Sequence, residues 1–183
     1  MKKIVIAAAT LVSFATAANA QTSSTAQQQV NLSLANAIEI TFTGSGTATG
    51  SAVTMAFTTV ANYANGVESA NQQLKVRSNK NFTVAVKANA ANFSYVGSTT
   101  PAPVMPVASV LGIMVPVNGT GGTIASPFST ANFSPITATN QNLITAGTKG
   151  GNKTFEIKYE ADPQFNYPAG TYSVDVVYTA TQD

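Results

Sequence analysis

The chain has 183 residues, nine of them basic and seven acidic, and it contains no histidine, cysteine or tryptophan. Positions 88–148 carry no charged residue. Proton transfer, nucleophilic attack and tight metal binding depend on such side chains. The composition therefore argues against an enzyme and against a bound metal or cofactor, and it excludes a disulfide. We expect a protein that acts through its surface.

The first twenty residues have the pattern of an export signal. Lys2 and Lys3 precede an apolar stretch at 4–18, and Ala18-Asn19-Ala20 gives a small-x-small cleavage site. The alternative is a membrane anchor, but the stretch is short for a span and no charged stop follows it. We therefore predict cleavage before Gln21, export through the general secretory route, and a place on the bacterial cell surface or outside the cell.

Removal of residues 1–20 leaves a formally neutral chain, because the loss of Lys2 and Lys3 leaves seven basic against seven acidic residues. Nucleic acids and acidic membranes both attract basic surfaces, so neither is an expected partner. The 163 residues left of the 183 are enough for one domain with a substantial core. We predict a single domain over residues 21–183.

Residues 21–29 are polar and uncharged, which predicts a flexible leader. Val30, Leu32 and Leu34 then alternate with polar residues, as in a short strand. Two roles are open for this segment. It is either the first strand of its own domain or a donor strand that completes the sheet of a neighbouring copy.

Alternation of apolar and polar residues dominates the rest of the chain. It predicts strands at 38–42, 53–57, 74–76, 82–86, 154–160 and 172–180. The sequence Ser78-Asn79-Lys80-Asn81 predicts a tight hairpin turn, since Asn tolerates positive φ. No segment has a capped helical stripe. Many short strands separated by turn residues indicate an all-β protein, and we predict an antiparallel Greek-key immunoglobulin-like β-sandwich.

Residues 97–123 hold four of the eight prolines and are strongly apolar. Pro and Gly interrupt the segment too often for a membrane span. It is either a core strand with an irregular crossover or an exposed contact surface for a partner. The candidate contact residues are Val104, Met105, Val107, Leu111, Ile113 and Met114.

Few residues offer chemistry or ligand binding. Glu156 and Glu160 share one strand face, but a spacing of about 13 Å exceeds either glycosidase geometry. Glu160 and Asp162 are candidate calcium ligands, although the sequence around them matches no calcium loop. Tyr63, Tyr95 and Tyr167 are candidates for stacking on a sugar. An extracellular module that binds carbohydrate or another ligand is therefore the alternative function.

Three segments resemble bacterial pilin-like and surface β-sandwich families. They are residues 38–42, residues 74–86, and the Tyr167-Pro168-Ala169-Gly170-Thr171-Tyr172 turn that leads into the alternating run 174–181. A Pro-Ala-Gly-Thr-Tyr turn before a last alternating strand is similar to that of many fimbrial subunits. The chain differs from typical chaperone–usher pilins in having no disulfide. The resemblance implies an immunoglobulin-like structural or adhesive subunit displayed outside the cell, assembled with its own copies in an oligomer or filament.

Overall fold

The structure is a computed structural model that describes residues 23–183. The expected export signal at 1–20 lies outside these residues. Residues 23–34 contain no helix or strand, and the folded unit runs from Ala35 to Asp183.

The folded unit consists almost entirely of short strands. The two helices are α1 (Val60–Asn65) and α2 (Val107–Val110). The strands are β1 (Ile38–Phe42), β2 (Val67–Glu68), β3 (Gln72–Ser78), β4 (Phe82–Ala88), β5 (Ser94–Val96), β6 (Leu111–Asn118), β7 (Thr123–Ile124), β8 (Ser134–Pro135), β9 (Gln141–Gly147), β10 (Gly150–Ala161), β11 (Thr171–Ser173) and β12 (Val176–Gln182). The expectation of an all-β protein is confirmed.

The strands form two main antiparallel sheets. The first has the order β1-β3-β10-β6-β8, and β2 pairs with the far end of β10. The second has the order β12-β4-β9-β7, while β11 and β5 form a separate pair. Strand β10 runs the length of the first sheet, from Gly150 beside Ser78 to Glu160 beside Glu68.

The core lies between the two sheets and draws alternate side chains from both. Those of β3, β4, β6, β9 and β10 are fully enclosed; among them are Leu74, Val76, Phe82, Val84, Val86, Ile113, Val115, Leu143, Ile144, Phe155 and Ile157. This is the sandwich-like arrangement expected when two sheets each bury one face. Burial of alternate residues explains the period of two in the sequence.

The connection at 78–81 is not a hairpin turn, which corrects the sequence prediction. Strand β3 is paired on both sides, by β1 and β10, so no edge is left for β4. The chain instead crosses to the second sheet, where β4 pairs with β12 and β9. Two strands joined by a short turn need not be neighbours when both edges of the first are already occupied.

Two further local predictions were wrong. Residues 53–57 are extended but belong to no sheet. The helix α1 was not expected, although its start is visible in the sequence as a capping box. The Thr59 hydroxyl accepts a hydrogen bond from the Asn62 backbone N–H, and the Asn62 side chain accepts one from the Thr59 backbone N–H.

The helices α1 and α2 have six and four residues, and among residues 23–183 no helix is long and apolar enough to cross a membrane.

Most of the candidate contact residues in 97–123 lie in the core. Leu111 and Ile113 are buried because β6 is paired on one side by β10 and on the other by β8 and turns alternate side chains inward. Met105, just before α2, and Val107, in α2, are also buried. Met114 faces the other way and is half-buried. Of the six candidates only Val104, 68% exposed, is open to solvent, so they do not form the expected apolar contact surface together.

Candidate functional site: an open seam between the sheets

The two main sheets leave a gap along one side of the molecule, which we call the seam. One wall consists of β1 and residues 50–57, and the other consists of residues 171–178. The seam is closed beyond this point, where Gln182 Nε2 donates a hydrogen bond to the Ala37 carbonyl at 2.9 Å. A small groove of about 170 Å³ lies between β1 and β12. A larger groove of about 840 Å³ continues between residues 50–57 and 171–176.

Residues 50–57 resemble a strand without a partner. Val53, Met55 and Phe57 are half-buried while the residues between them are exposed, which is the alternation of a strand. Yet residues 50–57 form no backbone hydrogen bond with any described residue. Backbone N–H and C=O groups of an extended segment need partners, and an unpaired edge is a template for another strand.

The opposite wall also has an open edge. Among the described residues, β12 pairs only with β4, and β11 pairs only with β5. The single last strand predicted at 172–180 is instead two strands, β11 and β12, in different sheets with a break at 174–175. The predicted alternation holds across the break, and Val174, Val176, Tyr178 and Ala180 pack against the core. These four side chains are half-buried, whereas their counterparts on β4 are fully enclosed. The inner face of β12 is therefore incompletely covered.

The floor of the larger groove consists of core side chains. Met105, Val110, Leu111 and Tyr159 line it and are otherwise buried. Two open strand edges above an apolar floor form a site for an extended polypeptide, because backbone groups can pair at the edges while alternate side chains enter the groove.

Two tyrosines join the sheets beneath the seam. The hydroxyls of Tyr159 on β10 and Tyr178 on β12 lie 2.8 Å apart and share a hydrogen bond. Burial raises the pKa of Tyr159 to about 12, and the hydrogen bond with Tyr178 lowers this pKa by a smaller amount. The ring of Tyr178 borders the small groove, but its hydroxyl is enclosed, and burial together with Tyr159 raises its pKa well above the usual value.

The structure places the three candidate sugar-binding tyrosines in two aromatic groups. Tyr63 packs on Phe57 at 5.4 Å and stacks on Phe165 at 5.5 Å with an angle of 23° between the rings. Tyr95 and Tyr167 both pack on Tyr172, at 5.0 and 6.3 Å. Sequence reasoning missed Phe165, which is 65% exposed, because it does not lie on an alternating strand.

A close approach to Tyr95 explains a glycine of the Pro-Ala-Gly-Thr-Tyr turn. A Cβ atom on Gly170 would lie 2.2 Å from the Tyr95 ring. The Tyr95 hydroxyl also donates a hydrogen bond to the Ala169 carbonyl at 3.1 Å. Only glycine lets the turn pack this closely on the ring.

The acidic side chains do not converge on a reactive centre. Glu156 accepts hydrogen bonds from Asn71 and Gln73, at 2.8 and 3.4 Å. Glu160 lies opposite Glu68, which is ion-paired with Lys158. Burial, then Glu68 and Asp162, raise the pKa of Glu160.

No three acidic side chains among residues 23–183 lie close enough together to hold a metal ion. Glu160 and Asp162 are thus not joined by a third residue of this kind into a metal-binding cluster.

The candidate donor residues lie outside the folded unit. Val30, Leu32 and Leu34 are 75%, 83% and 88% exposed and belong to no strand. Three large apolar side chains on one face of a short segment are thus left without cover.

No protein-family model and no curated protein matches this chain. The features of the molecule that bear on its function are the seam and the exposed segment 30–34.

Proposed function

We propose that the protein is a secreted structural or adhesive subunit of the bacterial cell surface, related in its build to pilin-like proteins, and that its copies assemble by β-strand complementation. In this proposal the two sheets follow the Greek-key immunoglobulin-like arrangement, and no residue is catalytic. The observation that carries the proposal is the seam, where residues 50–57 and β12 present two open edges above apolar core side chains.

An extended strand suits this site in both its backbone and its side chains. Its N–H and C=O groups would pair with the unpaired groups of the two walls. Its alternate side chains would cover Val53, Met55 and Val176, which now pack against the core but are only half-buried. Burial of one Val or Leu side chain stabilises by about 1.5–3 kcal/mol.

The strand we assign to the seam is residues 30–34 of a second copy. Val30, Leu32 and Leu34 have the required spacing, and the segment carries no charge that the groove would have to desolvate. Residues 21–29 supply a polar leader before it.

The start of the folded unit gives the assembly a direction. The Ala37 amide donates to Asn79 Oδ1 at 3.0 Å, and Asn79 Nδ2 donates to the Ala35 carbonyl at 2.8 Å. The folded unit therefore begins beside the connection 78–81, at the end of the sheets away from the larger groove. A strand from one end that binds at the other end of the next copy makes a head-to-tail contact, which produces an open filament.

The test uses the mature chain, residues 21–183, with a variant that carries Val30→Asp, Leu32→Asp and Leu34→Asp. Its matched control places the same three charges on the polar positions: Gln29→Asp, Asn31→Asp and Ser33→Asp. We expect filaments or oligomers of wild type and control in electron microscopy and light scattering. The first variant should be a folded monomer with a lower unfolding midpoint than assembled wild type, because it lacks the stabilisation that the bound strand supplies. Monomeric wild-type protein at high concentration would overturn the proposal.

A second candidate function is carbohydrate binding, favoured by the exposed aromatic pair. The Phe165 ring is stacked on Tyr63 and open to solvent, and the amides of Gln164 and Asn166 beside it are exposed. An aromatic face flanked by amides is suited to a sugar ring. A glycan array with wild type and Phe165→Ala tests this function, and absence of any signal that depends on Phe165 would remove it.

A further inference from the structure

We infer that a charged contact accompanies strand exchange, in which the basic end of one copy meets the acidic end of the next. This inference rests on the proposed function, since it concerns the head-to-tail contact of the same assembly. It adds a second interaction surface, formed by folded residues and independent of segment 30–34.

The charges of the folded unit are separated along β10. This strand begins at Gly150 beside Ser78 and reaches Glu160 beside Glu68. At about 3.3 Å per residue, the stretch from Gly150 to Glu160 spans roughly 33 Å. Residues 88–148 contribute no charge to either end, and between the ends lie one basic and one acidic residue, Lys75 and Glu156.

The basic end consists of Lys80, Lys149 and Lys153. Lys80 lies between β3 and β4, and Lys149 lies between β9 and β10; both are exposed, and Lys153 is half-buried near the start of β10. None of the three forms a salt bridge within residues 23–183.

Two other charged features lie near the basic end. Arg77 is ion-paired with Glu39 at 3.3 Å, and the Asp183 carboxylate accepts a hydrogen bond from Thr83 at 2.9 Å, which leaves its negative charge in place. Three lysines against this one acid leave the basic end with an excess of positive charge for a partner molecule.

The acidic end consists of Glu68, Glu160 and Asp162, where β10 meets β2. Lys158 is ion-paired with Glu68 and compensates one of these charges. Glu160 pairs directly with Glu68 across β10 and β2, and Asp162 follows two residues later, so three acids lie close together at this end. Burial, and then Glu68 and Asp162, raise the pKa of Glu160.

Strand exchange would bring these two ends together. The folded unit begins at the basic end, where Ala35 and Ala37 are held by Asn79. The larger groove opens towards the acidic end, and Tyr159 and Ala161 of β10 line it beside Glu160 and Asp162. A donor strand from one copy therefore places its lysines near the acids of the acceptor.

Exposed charges of this kind act mainly on encounter and orientation. Complementary surfaces raise association rates at low salt, and the effect is screened when the Debye length falls to about 3 Å at 1 M salt. A copy that approaches the wrong way round would bring like charges together.

The experiment measures the initial rate of assembly of the mature chain by light scattering, from 20 mM to 1 M NaCl. The basic-end variant is Lys80→Glu with Lys149→Glu, the acidic-end variant is Glu68→Lys with Glu160→Lys, and a third chain combines all four changes. The control is Lys75→Glu, in the middle of β3. Unfolding midpoints verify that each variant is folded.

We expect each two-site variant to assemble about tenfold more slowly than wild type at 20 mM NaCl, with the difference lost at 1 M. The four-site chain should recover most of the rate, and the control should match wild type. If the acidic-end variant does not fold, the basic-end variant and its salt dependence decide the question.

Wild-type assembly at a rate that neither salt nor the basic-end changes alter would overturn this inference and leave the proposed function intact. Failure of the wild type to assemble at any salt concentration would overturn both.

Discussion

Phe155 and Phe165 carry the same side chain ten positions apart, and their surroundings assign them different roles. Phe155 alternates with polar residues on β10 and is completely enclosed between the sheets. Phe165 lies in the loop before β11 and is exposed. The stability of the fold should therefore depend on the first ring and not on the second.

We predict that Phe155→Ala lowers the free energy of unfolding by about 3–5 kcal/mol, because it removes buried apolar area and leaves a cavity. Phe165→Ala is the matched control and should change it by less than about 0.5 kcal/mol. Urea unfolding followed by tyrosine fluorescence measures both. Equal effects would show that the core is not where the structure places it.

The Tyr159–Tyr178 pair predicts a loss of stability at high pH. The pKa of Tyr159 is about 12 in the folded protein, above the ordinary value of 10. The unfolded chain therefore loses this proton first as pH rises. The stabilisation is complete below pH 10 and is lost progressively as pH rises from 10 through about 12.

The variant Tyr178→Phe tests this prediction. At pH 7 it should be less stable than wild type by about 1 kcal/mol, because Tyr159 loses its hydrogen-bond partner. Above pH 10 the difference should shrink, since the variant has one fewer buried hydroxyl to ionise. Denaturant unfolding from pH 7 to 12 measures the difference, and a constant difference would contradict the assigned pair.

Residues 50–57 are the element with the most distinctive expected behaviour. Their amides lack backbone partners, so hydrogen exchange in the monomer should be fast there and slow in β4 and β10. A peptide of residues 28–36 should slow exchange in residues 50–57 or along the outer edge of β12. A peptide with Asp at positions 30, 32 and 34 is the control, and slow exchange in the free monomer would contradict the open wall.

Strands β1, β3, β4 and β10 could be predicted because alternation is a local property that burial of one face imposes. Strand β9 was missed because two successive residues, Leu143 and Ile144, are both buried, and β2, β5, β7 and β8 are too short to show a pattern. The pairing of the strands was not visible locally. The 78–81 connection looked like a hairpin turn, and only the occupation of both β3 edges explains why β4 joins the other sheet. Residues 53–57 have a strand pattern because one face packs on the core, yet pairing depends on a neighbour that the folded unit does not provide.

At the scale of the whole molecule, the charge-free stretch has a structural explanation as well as a functional one. Residues 88–148 include β6 and β9, which contribute Ile113, Val115 and Leu143 to the interior shared by both sheets. A charged side chain would be costly at these positions. The charges are instead placed in turns and on the outward-facing positions of strands, as at Lys75 and Glu156.

The sequence by itself determined the all-β class, the inward-facing residues of the alternating strands, the absence of disulfides and the alternate spacing of Val30, Leu32 and Leu34. These features follow from side-chain chemistry and from the alternation of apolar and polar residues. That alternation suits any neighbouring sheet that buries one face of the strand, whichever sheet it is. Only the tertiary structure decided which strand edges stay open and which ends collect opposite charges. Open strand edges and charged ends depend on contacts between residues far apart in the chain. A local sequence pattern does not show which strands will lack a partner.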